Sequence, residues 1–160
     1  MKATTKVSGG QRVGQRMKAL QDRLSRNSGV FVGIPSGAGQ YEDGTPLAVI
    51  GAVHEFGRAD GSIPERSFLR VPLRSNQDVF AKIFVSGLPA VVNGEMTLRQ
   101  LMDQAGARAA ATSQEAISQG IAPPLKESTL RRKDSGKTTP LIDNGRLWQS
   151  ITWVVEGDAE

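Results

Sequence analysis

Residues 97–120 read TLRQLMDQAGARAAATSQEAISQG, and three signals in that stretch agree on one long helix. Thr97 and Gln100 have the spacing of a capping box, in which each side chain serves the other residue's backbone amide. Leu98, Leu101, Met102, Ala105, Ala109, Thr112, Ala116 and Ile117 recur at steps that place them on one helical face. Gly120 stops the run, because glycine reaches the backbone conformation a helix end needs. The many alanines let another backbone approach this helix closely.

Short apolar strands flank that helix in sequence. Val30, Phe31, Val32, Gly33 and Ile34 read as a short buried strand, and Ser150–Val155 alternate so that Ile151, Trp153 and Val155 share one face. The class this predicts is α+β, a small mixed or antiparallel sheet packed with helices. Residues 35–45 are rich in glycine and polar side chains and read as a loop or hairpin tip. After Pro46, residues 47–56 are apolar all round until His54 and Glu55, which predicts a short buried helix capped by Gly57. Val79, Phe80, Ile83 and Phe84 predict a further helix from near Arg74 to Gly87, with Pro89 as its break. Residues 121–144 are polar, hold Pro123, Pro124 and Pro140, and show no periodicity. A long loop of that kind is typically functional or ordered by a partner. One helical turn is expected at 145–149, with Asp143 capping it.

At the other end, Val13, Met17, Leu20 and Leu24 step by four, three and four, the stripe of an extended amphipathic helix over residues 11–26. The resulting organisation is a basic arm at 1–27, a single α+β domain at 28–155 and an acidic tail at 156–160. Lys2, Lys6, Arg12, Arg16, Lys18, Arg23 and Arg26 face only Asp22 in the first 26 residues, a local net charge of +6 in a chain whose total is +4. Arg131, Arg132 and Lys133 form a second basic knot. Clusters of this kind meet nucleic acid or an acidic protein face.

Composition narrows the chemistry. The 160 residues include no cysteine, which removes disulfides, thiolate metal sites and cysteine nucleophiles. No window approaches the ~20 apolar residues that span a bilayer, so a soluble chain made in the cytoplasm, with no membrane partner, is expected. Hydrophobic residues are 38% and aromatics 5%, a lean core that leaves apolar surface for contacts between subunits.

His54 is the only histidine, and His54-Glu55 is followed by Phe56, Gly57 and Arg58, so the second histidine of a zinc-protease helix is missing. Ser135, Gly136, Lys137 and Thr138 imitate the end of a phosphate-binding loop, yet Arg131 stands where its first glycine belongs. Gly33, Gly37 and Gly39 lack the spacing of a dinucleotide fingerprint. No G-x-S-x-G elbow exists to pair a serine with His54, and nothing in the spacing of Glu42, Asp43, Glu55, Asp60 and Glu65 suggests a catalytic acid pair. No catalytic residue, metal site or cofactor is expected, and the chain reads as a protein that binds other proteins.

Two blocks look organised without looking catalytic. In the first, His54, Glu55, Phe56 and Gly57 precede Ile63, Pro64, Glu65, Arg66, Ser67, Phe68, Leu69 and Arg70. In the second, Pro123, Pro124, Leu125, Thr129, Leu130 and Lys133 precede Pro140, Leu141, Ile142, Asp143, Asn144, Gly145, Arg146, Leu147, Ser150, Ile151 and Thr152. Read for packing alone, both are loop anchors. Together they resemble the tail-completion or neck proteins of long-tailed bacteriophages and Mu-like prophages, a virion-morphogenesis family. Its pattern is H-E-F-G and I-P-x-R-x-F-L-R, then P-P-L, T-L-x-x-K, P-L-I-D-x-G-x-L and S-I-T. Here these fall at 54–57, 63–70, 124–133 and 140–152, with Glu65, Ser67 and Asn144 as departures.

The resemblance implies an α+β subunit that assembles, often as a ring, at the head-proximal end of a phage tail. Its implied partners are tail-tube and head-tail connector proteins, with DNA passing through the lumen and the virion as its location. Arg12, Arg16, Lys18, Arg131, Arg132 and Lys133 are the candidate contacts to partners or DNA. A small basic DNA-binding protein is the alternative.

Overall fold

The computed structural model describes Gly14, Gln15, Lys18 and residues 28–131 and 138–157. Gly14, Gln15 and Lys18 are helical and exposed, and the rest of the expected helix over 11–26 lies outside the described residues. So do Arg12, Arg16, Arg132, Lys133, the glycine-lysine imitation of a phosphate loop up to Lys137, and the end of the acidic tail.

The 22-residue helix anticipated from the capping box is present and organises everything else. In chain order the described elements are β1 (Gly29–Gly33), α1 (Leu47–Phe56), α2 (Arg70–Ser75), α3 (Gln77–Asn93), α4 (Leu98–Gln119), α5 (Glu127–Leu130), α6 (Arg146–Gln149) and β2 (Thr152–Glu156). About 52% of the described residues are helical and the sheet among them is two-stranded and antiparallel, an α+β fold. The capping box forms in full: Gln100 N–H donates to Thr97 Oγ1 at 3.1 Å and Thr97 N–H to Gln100 Oε1 at 2.8 Å. Each bond satisfies an amide that the first turn would leave bare.

β1 and β2 pair in the register Val30↔Val155, Phe31↔Val154 and Val32↔Trp153. Alternation sends Val30, Val32, Trp153 and Val155 toward α4. It sends Phe31 and Val154 outward, 59% and 49% exposed. The strand expected to be buried is therefore covered on one face only. α4 crosses beneath the sheet at Gly106, where an added Cβ would collide with the Trp153 indole and come within 2.9 Å of Val30. What comes close at that site is two side chains rather than the backbone that the alanines predicted.

Trp153 bridges two apolar clusters, one of Phe68, Ala110, Ile117 and Ile151 and one of Leu98, Met102 and Val155. Its indole N–H is satisfied by Asp103 Oδ1 at 3.1 Å. Trp148 clamps α6 to α4: its indole N–H donates to the Gln114 carbonyl at 3.0 Å, and the Gln114 amide returns a bond to the Trp148 carbonyl at 3.2 Å.

Four further expectations need correction. The helix placed at 74–87 is two helices divided at Asn76, and Pro89 lies inside the second, α3. Pro89 is exposed, and the Val85 carbonyl it deprives of a donor sits on a residue 72% exposed, where water can replace the lost bond. Phe84 and Val91, on either side of it, both pack against the Leu98 cluster and hold the helix through the proline. α1, expected to be buried, buries only Leu47, Gly51 and Glu55, while Val49 and Phe56 are exposed, because it has neighbours on one side only. The turn at α6 is capped not by Asp143 but by Asn144, whose Oδ1 accepts the Arg146 N–H at 3.1 Å while Gly145 takes φ 83°. Finally, the loop at 121–144 contains the single turn α5 and is tied down at its start.

Candidate functional site

The two motif blocks meet, and two side chains join them. Glu55 sits in the last turn of α1 with its side chain only 4% exposed. A carboxylate there needs donors. Four converge on it: Ser67 Oγ at 2.6 Å, Leu69 N–H at 2.9 Å, Arg70 N–H at 3.0 Å and Arg70 Nε at 2.9 Å. Glu55 thus caps α2 from another helix, supplying the negative charge and acceptors its first turn wants. Burial alone would raise its pKa, but the bonds from Ser67, Leu69 and Arg70 outweigh that and hold it below the ordinary glutamate value. Arg70 spans outward from this knot, donating to Glu65 at 2.7 Å and to the Glu55 carbonyl at 3.1 Å, with its guanidinium 4.5 Å above the Phe56 ring. That cover explains how Phe56 stays at the surface.

Gly57 makes the turn between the motifs possible. Its φ is 71°, and a Cβ there would stand 2.8 Å from the Glu65 amide nitrogen. The loop behind it closes by Arg58 N–H to the Ile63 carbonyl at 2.9 Å, and Asp60 Oδ1 accepts from Ser62. Phe68 follows at 0% exposed, with Leu69 packed beside its cluster.

Arg66, 5% exposed, is the second joint. Its N–H donates to the His54 carbonyl at 2.8 Å, fastening the second half of the block to α1. Its guanidinium reaches across 57 residues of sequence to the Pro123 carbonyl at 3.0 Å and the Pro124 carbonyl at 3.3 Å. Prolines leave these carbonyls without local partners of the helical kind, and the arginine fork takes both. Between the two segments lies a cleft of about 490 Å³, walled by His54, Ile63, Pro64, Pro123, Leu125 and Thr129. His54 Nδ1 is buried at its margin with no hydrogen-bond partner among the described residues. Burial, and then the Arg66 charge, hold the His54 pKa below 6.5, so the imidazole is neutral at pH 7.

The later motif residues serve the core. Leu141 and Ile142 pack on the Phe68 cluster, Leu147 and Ile151 are 2% and 4% exposed, and Ser150 Oγ donates to the Leu147 carbonyl at 2.8 Å. Leu141 adopts φ 65°, a left-handed conformation costing about 1–2 kcal/mol for a side chain of this kind. Of the candidate basic contacts, Lys18 is exposed and Arg131 is exposed with Glu127 at 3.2 Å. Ser67, which departs from the pattern the sequence resembles, is a working part of the knot and carried no signal beyond its place beside Arg66. Among the described residues no group of three or more His, Asp or Glu side chains is placed to hold a metal, and no helix is long and apolar enough to cross a membrane. No protein-family model, curated protein or solved structure matches this chain.

Proposed function

We propose that this protein is a structural subunit of a tailed-phage virion, completing the tail or joining it to the head by ring-like self-assembly. The observation that carries the reading is the knot itself. The separate short motifs behind the resemblance are joined in space by Glu55 and Arg66, whose polar atoms are taken up by bonds that fix loops. A carboxylate held by four donors is neither a free base nor a nucleophile, because protonation or attack must first break those bonds. The chemistry of the motifs is that of holding a shape for other proteins to meet.

The test is genetic and physical together. Loss of the gene leaves heads and tails that do not join or tails that do not finish, visible by electron microscopy of the lysate. The purified chain forms oligomers by mass measurement in solution. A strictly monomeric protein that is missing from purified particles overturns the reading. The alternative of a small DNA-binding protein draws on the +6 segment at 1–26, and tight, sequence-dependent binding to short duplexes would favour it instead.

A further inference from the structure

The bonds that hold Arg66 fix its geometry and leave its charge. Nε and Nη2 donate to the Pro123 and Pro124 carbonyls, which uses two of the five N–H groups a guanidinium carries. Nη1 makes no hydrogen bond among the described residues. Carbonyls offer dipoles only, and a cation 5% exposed has little water to screen it. Buried charges are ordinarily paired with opposite ones. Arg70, half-exposed, has both Glu55 and Glu65 as ion-pair partners. Arg66, which is buried, has no carboxylate within ion-pair distance among the described residues, and burial lowers its pKa with no acid acting against that.

Arg66 lines the cleft of about 490 Å³ between the two motif blocks. Ile63, Pro64, Pro123 and Leu125 give that cleft apolar walls, Lys126 adds a second cation at an exposed position, and no Asp or Glu lines it. Sites for small molecules commonly have this make-up, roughly 300–1,000 Å³ with apolar walls and a few convergent polar groups. We infer that the cleft binds a small organic carboxylate, its charge on Arg66 and Lys126 and its hydrocarbon body along Ile63, Pro64 and Leu125. Two cations without an acid select an anion. A single guanidinium presents paired N–H groups that match the two oxygens of a carboxylate. The apolar walls favour a hydrocarbon body over an inorganic ion such as phosphate, whose lost hydration they cannot replace. His54 lies in the same lining with its buried Nδ1 unpartnered, so a bound acid sits beside the only imidazole of the chain. The inference goes beyond the virion role and does not depend on it.

That imidazole makes the test direct. The full chain is titrated with phenylacetate and isovalerate, with the neutral phenylacetamide and isovaleramide, with inorganic phosphate, and with the peptide acetyl-Leu-Glu-Leu-amide, while NMR follows the His54 ring signals. The expected result is a saturable shift with at least one of the two acids, with its amide weaker by about 10-fold or more and phosphate weaker than the acid. Equal affinity for acid and amide overturns the role of the charge. Phosphate binding as tightly as the acids overturns the assignment to carboxylates, and binding by the peptide alone overturns a small-molecule site in favour of a peptide groove. No saturable shift with either acid overturns the site. Arg66→Gln should abolish binding, but it also loosens the hold on Pro123 and Pro124. Lys126→Glu is therefore measured as well, since its exposed side chain leaves the core alone. It should weaken the acids by roughly 3-fold or more, and unchanged affinity there places binding elsewhere and overturns the inference.

Discussion

Glu55 and His54 are neighbours in sequence with opposite electrostatic burdens, and acid should act on both. The folded pKa of Glu55 lies below its unfolded value near 4.5, so its contribution to stability is present above that pH and disappears as pH falls through the folded pKa. The folded pKa of His54 lies below 6.5, so the unfolded chain takes up the proton first and stability declines as pH drops under 6.5. Two acid limbs are therefore expected in urea midpoints measured against pH. His54→Gln should remove the upper one, and Glu55→Gln should shrink the lower, to which Asp43 and Asp60, held below the ordinary aspartate value by bonds from Thr45 and Ser62, also contribute. As the only histidine, His54 also offers a single imidazole NMR titration, which should give a midpoint below 6.5. At pH 7, Glu55→Gln sets an amide NH₂ against the donors of Ser67, Leu69 and Arg70 and should cost about 2–4 kcal/mol by urea unfolding. A loss under about 0.5 kcal/mol would show that the knot does not hold the loop. None of this was legible from residues 54 and 55 alone. Their partners stand 12 to 15 positions away around a loop, and no periodicity links them.

At the scale of elements, α4 was legible almost to the residue because its signals are local. The cap needs only Thr97 and Gln100, and the stop needs only Gly120. Thr97→Ala should accordingly cost about 1 kcal/mol. Gly106 is the sharper case. In an exposed helix Gly→Ala stabilises by up to about 1 kcal/mol, but here the new methyl meets the Trp153 indole and Val30. Gly106→Ala should therefore destabilise by about 1–3 kcal/mol, a reversal of sign that thermal unfolding reads directly. Pro89 shows where local reading fails. The cost of a proline in a helix is a local quantity, but Phe84 and Val91 recover it through contacts with Leu98 and its neighbours, which belong to another element. The Arg66 bonds to Pro123 and Pro124 fail to announce themselves for the same reason: an irregular segment has no pattern by which to declare its anchor.

For the molecule as a whole, charge is the property that best separates the two functional readings. The first 26 residues carry +6 while the whole chain carries +4, so the remainder is slightly acidic and the basic arm stands against a body that does not share its sign. Such an arm attracts any polyanion, and attraction to phosphates is neither specific nor robust to salt. A virion subunit past which DNA travels needs no more than that. It should bind duplex DNA weakly, without preference among sequences, and should lose roughly 100-fold or more in affinity between about 50 and 200 mM salt. If the virion reading holds, removing residues 1–26 should abolish the binding while the remaining residues 27–160 still self-assemble. A DNA-binding protein behaves differently, because contacts to base edges persist when counterions compete for the phosphates. Fluorescence anisotropy on two unrelated duplexes across that salt range decides between them. Binding that keeps most of its strength at 200 mM and discriminates between the duplexes would transfer the function to the arm and leave the knotted body as its carrier.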